Sequence, residues 1–312
     1  CHVAFSVVPP KEQMEQNVGS GAYYIKSYGD YVCVLSKSPF YWDKSSSHLE
    51  NVTILQCADP DENAHLFNIG VADWVIADTN LDKIINKKAF QINAQFGTSY
   101  LFFKKNEKSY WNYPELRAAL FEIIPWDDLR SNFYFPAQTF VYPLNGYPEV
   151  EGFNFTDENE ALILMKSARE KYGIPADLQI PLVIEISQRS LSEQIISLMK
   201  EKFLKIGVEL TVRELPVNIY FNNIKSSSAD IFLYSWIGDF ADPLAFLELF
   251  RSDSSLNESM WSNEEFDNLL DEASVVTEEE RNKLLAQAED ILLDDFMIIP
   301  IQHPVSFNII NL

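Results

Sequence analysis

The chain has little of what enzymes and nucleic-acid binders use. Its three cysteines, Cys1, Cys33 and Cys57, form no CxxC or metal-ligand spacing. Cys33 and Cys57 read as packed thiols, with a single bridge between them as the alternative. Its four histidines, His2, His48, His65 and His303, are scattered, and GxSxG, GxxxxGK and HExxH are all missing. These absences predict a non-enzyme with no catalytic residue, no metal site and no cofactor. Asp239 and Asp242 make a nominal carboxylate pair for glycoside hydrolysis, but acids are so abundant here that such pairs arise by chance. Lys and Arg number 24 against 46 Asp and Glu, a formal net charge of -22. That balance excludes nucleic acid, whose binding draws on clustered cations, and it suits a well-solvated surface. No uninterrupted apolar run approaches the length that crosses a bilayer.

What is present fits a globular α/β chain. The 312 residues are 47% hydrophobic and 22% charged, enough for two lobes with cores of their own. The first stretch is β-rich: residues 17–25, 31–35 and 49–55 read as strands, and Asp59-Pro60 caps a short helix ending near Phe67. Residues 70–76 return to extended structure. Residues 98–103, TSYLFF, form an apolar strand of the kind that links lobes, and NYPELRAAL then starts a helix with proline in its first turn. Ala161, Leu164, Met165, Ala168 and Tyr172 recur at helical spacing and stop at Gly173. Strand 182–186, the helix marked by Leu191 to Phe203, strand 208–212, a weaker helix through residues 219–224 and strand 231–234 follow as two βαβ units. Right-handed crossovers make these three strands neighbours in a mostly parallel sheet. Two acidic amphipathic helices cover residues 266–273 and 284–291, and the terminal MIIPIQHPVSFNII reads as a return strand. The expected division is a first lobe over residues 1–97, a second over 98–290 and a return segment over 291–312.

Residues 230–250, DIFLYSWIGDFADPLAFLELF, carry the strongest functional signal. An apolar strand runs into an acidic, aromatic turn, and Asp242-Pro243 place an N-cap acceptor and a first-turn proline at the start of a helix. In open α/β sheets ligands bind beyond the carboxyl ends of the strands, where an indole, Trp236, a flexible glycine, Gly238, and a carboxylate, Asp239, stand.

The segment SWIGDFADPLAFLELF resembles the Trp-Asp signature of the bacterial extracytoplasmic solute-binding proteins of the peptide and nickel family. VGSGAYYIKSY is similar to that family's GTGPY entry strand, GVADW to its Gly-Glu-x-Asp, and NYPELRAAL to the helix opening its second lobe. The resemblance implies a type-II periplasmic-binding fold with two lobes and mixed or mostly parallel sheets. Family members carry a longer N-terminal portion, so an incomplete first lobe is expected here. The implied function is capture of a peptide or peptide-like ligand outside the cytoplasmic membrane. Delivery to the permease of an ABC importer follows, with hinge closure at residues 96–103. Alternatives are a degenerate member without a ligand of its own and a receptor for nickel or another small solute, nickel being given no support by the scattered histidines. The implied ligand-binding set is Asp239, Trp236, Gly238 and Tyr234, with Asp239 at the position that meets a ligand α-ammonium. Leu233 stands where oligopeptide receptors can place an arginine for the ligand carboxylate. The resemblance also implies a monomer, tethered to the membrane if Cys1 is lipid-modified.

Overall fold

The computed structural model describes residues 19–76 and 78–311. Cys1 and the first two residues of the expected 17–25 strand lie outside the described residues. The chain divides at two points: the part ending at Asn93 joins Ser306–Leu312 in one compact unit, and Ala94–Val305 forms the other.

In the first unit β1 (Tyr23–Tyr28), β2 (Val32–Lys37) and β3 (Asn51–Leu55) form an antiparallel meander. Its residues are largely exposed, Tyr28 at 81%. Helix α1 (Pro60–Asn68) starts where expected, because Asp59 accepts from the backbone N–H groups of Asp61 and Glu62 and Pro60 presets the first turn. Strands β4 (Trp74–Val75) and β5 (Phe90–Ala94) follow. Cys33 and Cys57 are free, half-buried thiols, so the alternative of a bridge is set aside.

The second unit opens with β6 (Gly97–Phe103), α2 (Pro114–Ile123), α3 (Trp126–Arg130) and α4 (Glu158–Tyr172). Asp157 caps α4 through Asn159 and Glu160, Gly173 ends it with a φ of 64°, and Ala161, Met165 and Ala168 form its buried stripe. Then come β7 (Ile180–Ser187), α5 (Glu193–Lys205), β8 (Val208–Leu215), α6 (Val217–Asn223) and β9 (Ile231–Ile237). Strand β7 pairs in parallel with both β8 and β9, Ile184 lying opposite Val212 and Ile231. This is the predicted trio, with the Ile195, Ile196, Met199 and Phe203 face of α5 buried. Helices α7 (Leu244–Leu247), α8 (Glu264–Ala273) and α9 (Glu278–Asp294) lead to β10 (Ile298–Gln302). Pro243 is the N-cap of α7 rather than its first helical residue; Asp242 accepts from Leu244 N–H at 2.8 Å and pairs with Arg281 at 2.8 Å.

Sheet order in this unit is β10-β6-β9-β7-β8, with β6 antiparallel to both its neighbours. Every residue of β6 is buried. Strand β6 is laddered on both edges, and the chain divides between its two units just before it, after Asn93. The terminal segment is two strands, not one. Pro304, which has no N–H to continue a ladder, separates β10 from β11 (Val305–Ile310). Strand β11 returns to the first unit between β4 and β5. A small core of Ala64, Phe67, Val75, Ile84, Ala89 and Ile309 packs there.

Candidate functional site

The pairing of β6 with β9 sets Tyr100 opposite Tyr234, Phe102 opposite Phe232 and Thr98 opposite Trp236. Because side chains alternate across a strand, these aromatic residues share one face of the sheet. Leu249, Phe250, Leu256, Glu258 and Ser259, from the segment after α7, stand over that face. Between them and Tyr100, Phe102, Tyr234 and Trp236 lies a pocket of about 50 Å³. A wider hollow of about 310 Å³ beside Tyr147 and Pro243 contains the Asp242–Arg281 pair.

The four expected site residues separate in space. Tyr234 and Trp236 line the pocket, both half-buried. The Trp236 indole N–H donates to Ala245 O at 2.8 Å, which fixes the ring while leaving its face on the pocket. Gly238 and Asp239 are not among the pocket-lining residues. Gly238, read as a flexible position, is a close-packing one: its N–H donates to Phe96 O at 2.8 Å. A Cβ there would lie 2.5 Å from the Phe96 ring. Asp239 is exposed in the bend just past β9. Leu233 lies on the opposite face of the sheet from Tyr234 and Trp236, and its carbonyl accepts from the Tyr220 hydroxyl at 2.6 Å. Arg251 is held by Asp253 and Asp271.

Reading the sequence missed the acid on the pocket wall. Glu258 is presented by a loop pinned at Asn257, whose amide donates to Phe250 O at 3.2 Å, Arg251 O at 3.0 Å and Trp261 O at 2.9 Å. The Asn257 carbonyl accepts from the Ser259 N–H at 3.1 Å and hydroxyl at 2.7 Å. Glu258 Oε1 lies 3.7 Å from Lys225 Nζ, an exposed lysine, while Oε2 is buried with no hydrogen-bond partner. The segment bearing Lys225 is itself anchored, since the Lys104 ammonium donates to Ile224 O, Lys225 O and Ser227 O at 2.6, 2.7 and 3.1 Å. Burial, and then the Glu258 charge, raises the Tyr234 phenol above its ordinary value. Burial also lowers the Lys104 ammonium.

A second buried acid lies elsewhere in the unit. Glu289 on α9 accepts from Phe140 N–H at 2.8 Å, Val141 N–H at 2.7 Å and the Tyr147 hydroxyl at 2.9 Å. Burial outweighs those hydrogen bonds and pushes its carboxyl up to about 7. Near the same loop, Thr98 Oγ1 donates to Phe140 O at 2.8 Å, and His303 Nδ1 lies 2.9 Å from Gly97 O. Burial holds His303 below its ordinary value, so the ring is neutral at pH 7. Among the described residues no group of three or more His, Cys, Asp or Glu is placed to hold a metal ion. Among them, too, no helix is long and apolar enough to cross a membrane.

Known proteins share this fold. The dipeptide-binding protein DppE of Bacillus subtilis is 24% identical over 299 residues, 91% of this chain and 54% of its own length. The chain thus spans about half the length of the curated relatives it matches. Among solved structures, the substrate-binding protein CtaP of Listeria monocytogenes superposes with a TM-score of 0.75 at 21% identity, covering 96% of this chain and 63% of that one. Listeria monocytogenes OppA bound to peptide gives a TM-score of 0.63 at 20% identity, over 96% of this chain and 62% of that one. The mixed α/β architecture is that of the type-II periplasmic-binding proteins. Residues 4–258 match the family described as bacterial extracellular solute-binding proteins, family 5 Middle, and the chain belongs to that family.

Proposed function

We propose that this chain acts in an extracytoplasmic receptor that captures peptides or peptide-like solutes and hands them to the permease of an ABC importer. It works by binding and catalyses nothing. The observation that carries this reading is the end of β9, where an aromatic pocket is followed within three residues of Trp236 by an exposed carboxylate, Asp239. Membership of a solute-binding family supports it, as does the relation to proteins named for dipeptide and oligopeptide binding. In this reading Asp239 pairs with the ligand's α-ammonium, Trp236 and Tyr234 offer apolar surface, and Gly238 keeps the backbone close to Phe96. A charge-assisted hydrogen bond of that kind discriminates between charged and neutral amines.

Asp239→Asn keeps the shape and removes the charge. Calorimetric titration with Ala-Ala-Ala and with N-acetyl-Ala-Ala-Ala reads the difference. The variant is expected to weaken the free-amine peptide selectively, by about 2–5 kcal/mol where the pair is desolvated and by under about 1 kcal/mol where water reaches it. Equal losses for both peptides, or none, would remove Asp239 from the site.

A further inference from the structure

We propose that the pocket between the β6–β9 face and the Asn257-pinned loop is a subsite for a primary alkylammonium group, with the Glu258 carboxylate receiving the ammonium. The inference deepens the receptor reading, on which it rests for the ligand's source: a lysine side chain of a captured peptide.

Three observations converge on that chemistry. First, a carboxylate oxygen is withdrawn from solvent and left without a partner. A charged acceptor in that state is costly to bury, and a ligand cation relieves the cost. Lys225 ion-pairs with the other oxygen at 3.7 Å from a side chain that is 72% exposed, and the Lys104 charge also acts on Glu258, but neither hydrogen-bonds Oε2. Second, Tyr100, Phe102, Tyr234 and Trp236 line the same pocket as Glu258 and offer ring surface there. Alkyl carbons gain by leaving water against such rings, and an ammonium is further attracted by their faces. Third, the volume is selective. At about 50 Å³, the pocket is a fraction of the ~150 Å³ cavity that accepts benzene. It admits the tip of an alkyl chain and excludes an aromatic ring.

The position of Glu258 is built rather than incidental. Its neighbour Asn257 makes three donor and two acceptor hydrogen bonds, and Lys105 N–H donates to Ser259 O at 2.8 Å, tying the loop to the residues just after β6. An ammonium has three donors and no acceptor, which suits a site whose open valence is a carboxylate oxygen.

The test uses the 312-residue chain with n-butylammonium and n-butanol as probes, read at the Trp236 indole N–H resonance and assigned with Trp236→Phe. n-Butylammonium is expected to move that resonance saturably, and n-butanol to bind about 30-fold or more weakly. Glu258→Gln, nearly isosteric, should abolish the preference, while Glu272→Gln on the exposed face of α8 should leave it intact. Equal response to the two probes, or a preference that survives Glu258→Gln, overturns the subsite. Calorimetry with Ala-Lys-Ala and Ala-norleucine-Ala then tests the ligand's source. If peptides bind with no lysine preference, the lysine assignment falls and peptide capture stands. If no peptide binds while the butylammonium result holds, the receptor reading falls and the amine subsite stands.

Discussion

Strands β6 and β1 have similar compositions and opposite fates. TSYLFF in β6 is wholly buried, whereas YYIKSY in β1 is exposed at five of its six positions. The difference lies in the neighbours. Strand β6 has a partner on each edge and belongs to a core running through the second unit, while β1 is the edge of a three-stranded meander. The first unit's own core of six residues includes none from β1, β2 or β3. Strand character in a sequence therefore reports a pleated backbone; the stabilisation comes from what the sheet packs against.

The largest expected effect sharpens this contrast. Leu101→Ala in β6 removes a side chain with no exposure and should cost about 2–5 kcal/mol. Ile25→Ala in β1, 40% exposed, should cost under about 1 kcal/mol. Urea unfolding measures both, and comparable losses would break the comparison.

Acids in the two units should respond to pH with opposite sign. Burial pushes the carboxyl of Glu289 up to about 7 in the folded chain, against an ordinary value of 4.5. The folded state then binds the extra proton between those values, so its stabilising contribution is full below pH 4.5 and is lost as pH rises to 7. The loss has an upper bound of about 3 kcal/mol, and Glu289→Gln should flatten the slope of stability between pH 5 and 7. Asp61 in the first unit is held below its ordinary value by hydrogen bonds from Lys83 and Asn80. Its contribution is present above pH 3.8 and is lost on acidification, so Asp61→Asn should alter the slope only below pH 4. Identical pH profiles for Glu289→Gln and the unmodified chain would show that burial of Glu289 has no energetic weight.

The smallest effect concerns glycine. Gly238→Ala drives a methyl into the Phe96 ring, which is itself held edge-on by Tyr142 and Phe246, and should cost about 1–3 kcal/mol. Gly29→Ala in the β1–β2 turn, where the nearest atom to the new methyl is 3.8 Å away, should change the melting temperature negligibly. A neutral Gly238→Ala would return that residue to the flexible role first read for it.

The parallel trio β8-β7-β9 was legible because its strands are separated by helices with clear apolar stripes, and a crossover of that length forces parallel pairing. The antiparallel placement of β6 and β10 was not. A run buried on both faces has no alternation from which direction or neighbours can be read. At the site, Tyr234 and Trp236 stood out as aromatic residues at a strand's end, and both line the pocket. Glu258 is one of 46 acids in the sequence, and nothing in its local pattern says that one oxygen is buried. That fact follows from Asn257 gathering Phe250, Arg251 and Trp261 around it. Glu289 is hidden the same way, beside Asp290 on an acidic helix, until the remote amides of Phe140 and Val141 arrive.

The placement of β11 between β4 and β5 bears on how the molecule is made. The ribosome completes β4 and β5 before any of the second unit and supplies β11 only after all of it. Throughout the intervening synthesis the two strands lack the one that joins them, and each offers an unpaired edge to other chains. Closure of this sheet therefore waits on the whole of the second unit, and the exposure of its open edges to misassembly lasts as long.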